Sequence, residues 1–335
     1  MAIQAASQNT YQAVGTREDL TSIVSLIDPH ETPLISNIGN GKPATAVKHE
    51  WQVQNLTAPS KSNFQLEGDD SPAATTAVAR QRIYNYCAIS KKVGSVTGTM
   101  RAVDVAGVSD ELDNQEMLKA IELKRDMEVI LCDNNKYETG GTATVRECAG
   151  FLAYVTNTDM SGTSSWTAAA GTGADAWNLA ATTARALSLT ILNGAVQAAH
   201  IDGGKPNLLM LSPTQRTNFS NLTLQSSLGG AAQVRYNTNA VKPMALIGTV
   251  DTWLSNFGQL DVASNVQLAS DSGTTNGENV TAYLVDTRHA GVSYLRRMFS
   301  ESLAKTGDAD KFQIIAEYTL EVDAPQAHAA LFALS

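Results

Sequence analysis

Two long regular segments follow each other in this chain, and together they constrain the fold more than any other feature. Residues 46–96 hold two runs of alternating apolar and polar side chains, separated by a stretch rich in Pro, Gly and Asp, which predicts a long β-hairpin. Residues 108–134 then predict one unbroken helix, with Ser109 as the candidate N-cap. At about 12 residues per hairpin arm and about 27 residues in the helix, each element would extend about 40 Å.

Elements this long do not cover their apolar surfaces within one small core. A two-stranded ribbon is marginally stable on its own in water, and the predicted helix carries two apolar strips rather than one. We therefore expect both elements to contact surfaces outside their own core, including other copies of the chain. The first strip comprises Leu112, Ala120, Leu123, Met127, Ile130 and Leu131, and the second comprises Met117, Leu118, Ile121 and Val129.

The other segments alternate between short helices and strands. Residues 1–45 contain too many breakers for a long element and predict an extended arm with one short helix, which must lie on another surface. Residues 175–200 predict a helix, and Ser212-Pro213 predicts the start of another. We expect an exposed loop tip at 305–311. Strands are predicted at 207–211, 245–254, 259–268, 280–286, 291–298, 312–322 and 329–334.

Composition excludes some classes of function. The 335 residues carry a formal net charge of −9, which argues against a protein that grips nucleic acid through clustered cations. The three cysteines lack metal-site spacing and predict reduced thiols in the core. Neither an export signal nor an apolar run of membrane-spanning length is present in the sequence, so we expect no membrane partner.

The order of the predicted elements, together with three short motifs, resembles a known family. The motifs are the stretch from Asp28 to Leu34 (DPHETPL), the Glu50-Trp51 pair and the Glu67-Gly68 pair. They resemble the Hong Kong 97 fold of tailed-phage major capsid proteins, in the subgroup typified by the phage SU-ten capsid protein. The resemblance implies an α+β fold with an N-arm, an extended β-hairpin called the E-loop, a long spine helix, a P-domain sheet and an α/β A-domain.

This resemblance also implies a division of the chain. The expected parts are the N-terminal arm at 1–45, the E-loop at 46–96, the P-domain with its spine helix at 97–155, the A-domain at 156–271, the P-domain strands and P-loop at 272–322, and a returning C-terminal strand at 323–335.

The implied function is that of a shell subunit, not an enzyme, with no cofactor. Such proteins assemble in the bacterial cytoplasm into hexamers and pentamers of an icosahedral head around double-stranded DNA, which they contact non-specifically. The E-loop lies over an adjacent subunit. Further expected partners are a portal, a separate scaffolding protein and, in some heads, a decoration protein. Some relatives crosslink an E-loop lysine to a P-domain asparagine, but the 305–311 loop offers Lys61 no asparagine, so we expect no crosslink here.

A contrast in charge predicts where neighbouring subunits meet. Residues 75–95 hold four basic residues and no acidic one, and residues 109–117 hold four acidic residues and no basic one. Either segment alone reads as a solvated face, but in a shell lattice the two would attract each other and fix the register of assembly. The predicted inter-subunit contacts are Arg80, Arg82, Lys91, Lys92, Asp110, Glu111, Asp113, Glu116 and Trp51.

Residue patterns for catalysis or metal binding are weak. The five histidines are scattered without ligand spacing, and Gly171-Thr172-Gly173 lacks the third glycine of a dinucleotide loop. The adjacent acids Asp69 and Asp70 favour a solvated turn over a cation site. We predict no catalytic, cofactor or metal residues. Three alternatives stay open: an encapsulin-like shell, an α/β enzyme built on 175–270, and an adhesin.

Overall fold

The computed structural model of the chain describes residues 31–68, 70, 77–103, 105, 107–159, 171–175, 185–224, 251–268, 282–305, 307–332 and 334. The predicted elements at 1–30, 176–184 and 245–250 lie outside these residues, as does Asp69. The division into an arm, an E-loop, a P-domain and an A-domain remains a prediction.

Within the described residues, helices and strands are mixed, as the predicted α+β class requires. The helices are α1 Pro33–Ile38, α2 Gly98–Ala102, α3 Glu111–Cys132, α4 Leu189–Ile201 and α5 Pro213–Leu224, with 3₁₀ turns at Phe151–Ala153 and Pro325–Ala327. The strands are β1 Lys48–Val53, β2 Gln81–Tyr86, β3 Ala88–Thr97, β4 Asn157–Asp159, β5 Leu208–Leu211, β6 Thr252–Ser255, β7 Gly258–Ser264, β8 Ala282–Val285, β9 Ala290–Leu303, β10 Ala309–Val322 and β11 Ala329–Leu331.

The described strands form three sheets. The β1–β2 ribbon has two strands, a second sheet has the order β3-β10-β9, and a third has the order β4-β11-β8-β5-β7-β6. The third sheet is mixed, since β5 and β7 run parallel whereas β8 lies antiparallel to β5. Helix α3 packs against β3 and β10, so it lies across one face of the second sheet.

The hairpin is shorter than predicted. Strands β1 and β2 pair over only six residues, from Lys48 opposite Tyr86 to Val53 opposite Gln81. At Cys87 the second alternating run leaves the ribbon, and β3 pairs with β10 instead. The prediction of 12-residue arms was wrong because alternation tells which side chains share a face but not which strand lies alongside.

The long helix begins later than predicted. Its N-cap is Asp110, not Ser109, and the Asp110 carboxylate accepts a hydrogen bond of 2.8 Å from the Leu112 N–H. A carboxylate also interacts favourably with the positive end of the helix dipole, which explains why it caps in preference to the neighbouring hydroxyl. The helix has 22 residues and ends at Cys132.

The first apolar strip of α3 lies against the core, as predicted. Leu123, Met127 and Leu131 are fully covered, and the other three residues of that strip pack against the same cluster. The three cysteines are free and buried within the core, which confirms their predicted role as core residues. Burial raises the pKa of the Cys87 thiol to about 11 and that of Cys148 to about 12, which keeps both thiols protonated.

Helix α4 is shorter than the predicted helix at 175–200. Its N-cap is Ser188, whose hydroxyl accepts from the Ile191 N–H at 3.3 Å, and residues 185–188 are not helical. Arg185 instead forms a β-bridge with Leu334, which uses the backbone groups that a longer helix would need. The predicted cap at Ser212 is confirmed, because its hydroxyl accepts from Gln215 N–H at 3.3 Å.

The C-terminal strands are longer than predicted, with 14 residues each in β9 and β10. The expected loop tip at 305–311 is therefore wrong in its second half, because Ala309, Asp310 and Lys311 belong to β10. Asp310 lies 2.7 Å from Arg101 and also pairs with Lys305, and these two cations hold the pKa of its carboxyl below the usual range.

Candidate functional site: an exposed apolar loop and an open sheet face

A loop with uncovered apolar side chains follows strand β1 of the ribbon. Residues 54–68 are all exposed and contain no strand. Within them, Leu56 is 95% exposed, Phe64 86% and Leu66 80%. We call residues 54–68 the apolar loop. Single exposed apolar residues are common, but three large ones within 11 positions of one exposed loop indicate a surface that contacts another molecule.

The second sheet has one covered and one uncovered face. Phe312 and Ile314 of β10 are buried on the side of α3, where Lys92 of β3 also lies, 2.6 Å from Asp126 of the helix. Side chains that alternate with these residues point to the opposite side of the sheet. Where the middle parts of β3, β9 and β10 lie side by side, no described element covers that opposite side.

Four apolar side chains form this uncovered side. In the strand register, Lys91 lies opposite Ile315, and Ile315 lies opposite Phe299. Ile89 and Val93 flank Lys91 on the same face, because residues two apart in a strand share a face. Ile89 and Val93 are each 51% exposed and Phe299 is 38% exposed. We call the four apolar residues Ile89, Val93, Phe299 and Ile315, together with Lys91, the open sheet face.

Two residues of the second helix strip are also exposed. Met117 and Val129 of α3 retain 57% and 42% of their surface, whereas Leu118 and Ile121 are partly buried. The helix therefore leaves apolar surface uncovered on its second side, as its sequence predicts, although half of the strip is already partly covered within the subunit.

The basic residues of the predicted contact set mostly have partners within their own chain. Arg82 pairs with Glu50 across the ribbon, Lys92 pairs with Asp126, and the Arg80 guanidinium donates to Gln54 at 3.3 Å. Lys91 is exposed, and among the described residues it has no ion-pair partner.

Most acidic residues of the predicted contact set also have partners within their own chain. Asp110 caps α3 and lies 3.3 Å from Arg101, Glu111 accepts from Gln115 at 2.7 Å, and Glu116 accepts from Ser300 at 3.1 Å. Asp113 is exposed, with no ion pair to any part of the chain that the structure describes. Lys91 and Asp113 are therefore the two members of the set to which the described residues give neither an ion pair nor a side-chain hydrogen bond, whereas Arg80, Glu111 and Glu116 have only neutral hydrogen-bond partners.

Trp51 is not available for such a contact. Its side chain is 6% exposed, and its ring lies 5.7 Å from the ring of Tyr154 in the core. The ribbon buries the face that carries Trp51 and Ile83 against its own subunit. We therefore remove Trp51 from the predicted contacts, because a buried ring has almost no surface left to offer.

Sequence reasoning missed the most exposed apolar residues. Leu56, Phe64 and Leu66 lie among turn formers, where no periodicity marks them, and their only signal is that large apolar side chains stand in a loop-forming composition. It also missed the open sheet face, since the strand partners that align its residues are distant in sequence. Within the described ranges, no cluster of three or more metal-ligating side chains occurs, and no helix is long and apolar enough to span a membrane.

The chain is similar in fold to solved structures of phage capsids and of an encapsulin shell. The chain superposes on a protein of Gordonia phage Cozz with a TM-score of 0.60 at 13% identity, covering 100% of this chain and 98% of that one. The capsid asymmetric unit of cyanophage A-1(L) gives 0.62 at 11% identity, with 97% and 98% covered. The SrpI encapsulin of Synechococcus elongatus PCC 7942 gives 0.55 at 10% identity, with 97% and 94% covered.

These likenesses define the fold as that of capsid-type shell proteins, in agreement with the predicted Hong Kong 97 fold. No curated protein matches the sequence. The family model described as SU10 major capsid protein matches residues 5–335, so the chain belongs to that family. It is a bacteriophage major capsid protein, as its sequence motifs implied.

Proposed function

We propose that this chain assembles, in the cytoplasm of a bacterial host, into hexamers and pentamers of an icosahedral head that encloses double-stranded DNA. The single observation that carries this proposal is the apolar loop, whose three large side chains have no cover within the described subunit. A shell lattice supplies that cover in every copy at once, because each subunit both offers a loop and receives one.

The receiving surface in our proposal is the open sheet face of an adjacent subunit. Its apolar side chains match the loop in chemistry, and complete burial of a Leu or Phe side chain contributes roughly 1.5–3 kcal/mol. Part of that gain is offset by ordering the loop and losing motional freedom on association. Many such contacts repeated around a closed shell still give a stable particle.

The role we propose is structural and not enzymatic. Membership of a capsid family supports it, as does a net charge of −9, which suits enclosure of DNA by non-specific contact better than tight binding. The further partners in this proposal are a portal, a separate scaffolding protein and, on some heads, a decoration protein. An encapsulin-like compartment that encloses cargo protein is the second candidate, favoured by the likeness to the SrpI shell.

Electron microscopy of the protein expressed alone tests the assembly proposal. We expect closed shells or hexameric rings in negative stain, because the loop and the sheet face are both present in one chain. Particles purified from phage-infected cells and treated with nuclease are expected to retain protected double-stranded DNA. A monodisperse monomer at high protein concentration would contradict assembly, and particles filled with cargo protein instead of DNA would favour the encapsulin-like alternative.

Charge reversal at Lys91 tests the predicted electrostatic contact between subunits. We expect Lys91→Glu to slow assembly several-fold at low ionic strength, with a smaller effect at high salt, because screening weakens exposed charge pairs. The double variant Lys91→Glu with Asp113→Lys restores the pair in reverse and is expected to recover part of the rate. Light scattering against salt concentration measures both.

Lys124→Glu is the matched control, since Lys124 is exposed on α3 but outside the predicted set. If Lys91→Glu and Lys124→Glu give the same salt response, or if the double variant assembles no faster than Lys91→Glu, the proposed pair does not form. That result would leave the apolar contact as the determinant of register.

A further inference from the structure

The end of the predicted arm lies on its own subunit. Residues 32–44, here called the arm segment, include four buried side chains, Thr32, Leu34, Ile38 and Ala44. The sequence predicts that the arm rests on another surface, and for this part the surface is the spine helix α3 together with strands β9 and β10. Two buried carboxylates hold it there.

The first carboxylate is Glu128 of α3, which is fully buried. Its Oε1 accepts from the Leu34 N–H at 2.7 Å and its Oε2 accepts from the Ile35 N–H at 3.0 Å. Asn265, just beyond β7, donates its side-chain amide to Oε1 at 2.8 Å. Burial raises the Glu128 pKa and these donors lower it, with burial dominant. One side chain thus joins the arm segment, the spine helix and the third sheet.

The second carboxylate is Glu321 of β10, whose side chain is 4% exposed. Its Oε2 accepts from the Lys42 N–H at 3.0 Å and from the Ser293 hydroxyl at 2.9 Å, and Lys42 Nζ lies 3.2 Å from Oε1. Burial alone would raise the Glu321 pKa, but the His49 imidazole, whose Nε2 lies 3.4 Å from Oε2, and hydrogen bonds from Lys42 and Ser293 lower it to about 2. This end of the arm segment is therefore bound by an ionised group.

Backbone pairing connects the two points. The Gly41 N–H donates to Val292 O at 2.9 Å, the Val292 N–H donates to Gly39 O at 3.1 Å, and the Ala44 N–H donates to Tyr294 O at 3.2 Å. The arm segment thus continues the second sheet beyond β9 as a short irregular edge.

A glycine allows the close contact at the second point. A Cβ atom at Gly41 would lie 2.6 Å from the Ser293 hydroxyl and 2.8 Å from Glu321 Oε2. Any larger residue there would push the arm segment away from the carboxylate that holds it.

We propose that Glu128 and Glu321 form a two-point clamp that locks the arm segment onto the subunit and holds it in the position that assembly with a neighbouring subunit requires. The clause about the neighbour rests on the proposed function, whereas the clamp itself does not. An ionised carboxylate accepts several hydrogen bonds and donates none, so it suits backbone N–H groups that lack other partners. Because Glu128 also binds Asn265, the arm segment stays in place only while helix α3 and the third sheet keep their relative position.

Hydrogen exchange on the unassembled subunit tests the clamp. Glu128→Gln places an amide donor against backbone donors, so we expect exchange at Leu34 and Ile35 to accelerate at least about tenfold, with Lys42 and Ala44 within about twofold of wild type. Gly41→Ala is expected to accelerate exchange at Lys42 and Ala44 and to leave Leu34 and Ile35 within about twofold of wild type. Glu122→Gln is the matched control, because Glu122 lies on the same helix and pairs only with Lys119 of that helix among the described residues.

Exchange at both ends unchanged by these variants would overturn the clamp, and so would acceleration spread equally over α3 and β10, which marks general destabilisation. Gly41→Ala leaves both carboxylates in place, so it tests the second point even if Glu128→Gln fails to fold. The second half of the proposal is tested separately on particles. We expect the two variants to yield fewer closed shells than Glu122→Gln, and normal shells with a loosened arm segment would refute the link to the neighbour.

Discussion

Replacing Phe64 and Leu66 with serine is expected to raise the protein concentration needed for shell assembly at least about 100-fold while leaving the subunit folded. Both side chains are more than three quarters exposed in the described subunit, so their loss costs the isolated fold little. In the shell they would be covered by a neighbour, and losing about 3 kcal/mol of apolar burial per contact corresponds to at least a hundredfold weaker association. Light scattering against protein concentration measures the threshold, and circular dichroism with thermal melting verifies the fold.

The loop provides its own matched control. Asn63→Ser with Gln65→Ser changes two exposed polar residues that alternate with the two apolar ones, and this variant is expected to assemble like wild type. Assembly of the Phe64 and Leu66 variant at the wild-type threshold would show that the apolar loop does not carry the contact. A lowered melting temperature would instead show that the two side chains serve the fold of the subunit.

Acid is expected to destabilise the subunit by about 3 kcal/mol between pH 6.5 and pH 4 through one buried histidine, His328. Its ring is fully buried, its Nδ1 accepts from the Asp286 N–H at 3.1 Å, and burial lowers its pKa to about 4. In this window the unfolded chain binds a proton and the native state does not, so stability falls as the pH falls. Chemical denaturation of the unassembled subunit at a series of pH values measures the slope.

The variant His328→Asn isolates this contribution. The Asn side-chain oxygen can replace Nδ1 as acceptor for the Asp286 N–H, although the smaller side chain loses packing against Phe151, 5.1 Å away between ring centroids in the native chain. We expect the variant to be less stable at neutral pH and the gap to close by about 3 kcal/mol toward pH 4. His200→Asn, at an exposed position, is the control. A constant gap between wild type and His328→Asn at all pH values would show that the histidine does not titrate in this way.

Local patterns in the sequence predicted the types and order of the elements. The alternation at 48–53 and 81–86, the apolar strip through Leu123 and Leu131, and the Ser212 cap all arise from neighbours within a few residues. These features survive in the structure because helix and strand periodicity is set locally.

Long-range partnership is what the sequence could not supply. Alternation at Ile89 and Val93 predicts a strand, but its pairing with β10 follows from contacts more than 200 positions apart. The burial of Trp51 and the pairing of Glu128 with backbone groups of the arm segment depend on the assembled core in the same way. Three of the predicted contact residues, Arg82, Lys92 and Asp110, already pair with opposite charges within the subunit, and their sequence neighbourhood does not reveal these partners.

Crosslinking between two single-cysteine variants tests most directly whether the apolar loop of one subunit lies on the open sheet face of another. Gln65→Cys, at an exposed loop position whose replacement is expected to leave assembly intact, and Val93→Cys subunits are mixed, assembled and treated with a short bismaleimide, while the three native thiols are shielded by burial. The proposed contact predicts covalent dimers in the assembled mixture, well above the level found when each variant is assembled alone. Intact shells that yield no such dimers would contradict it.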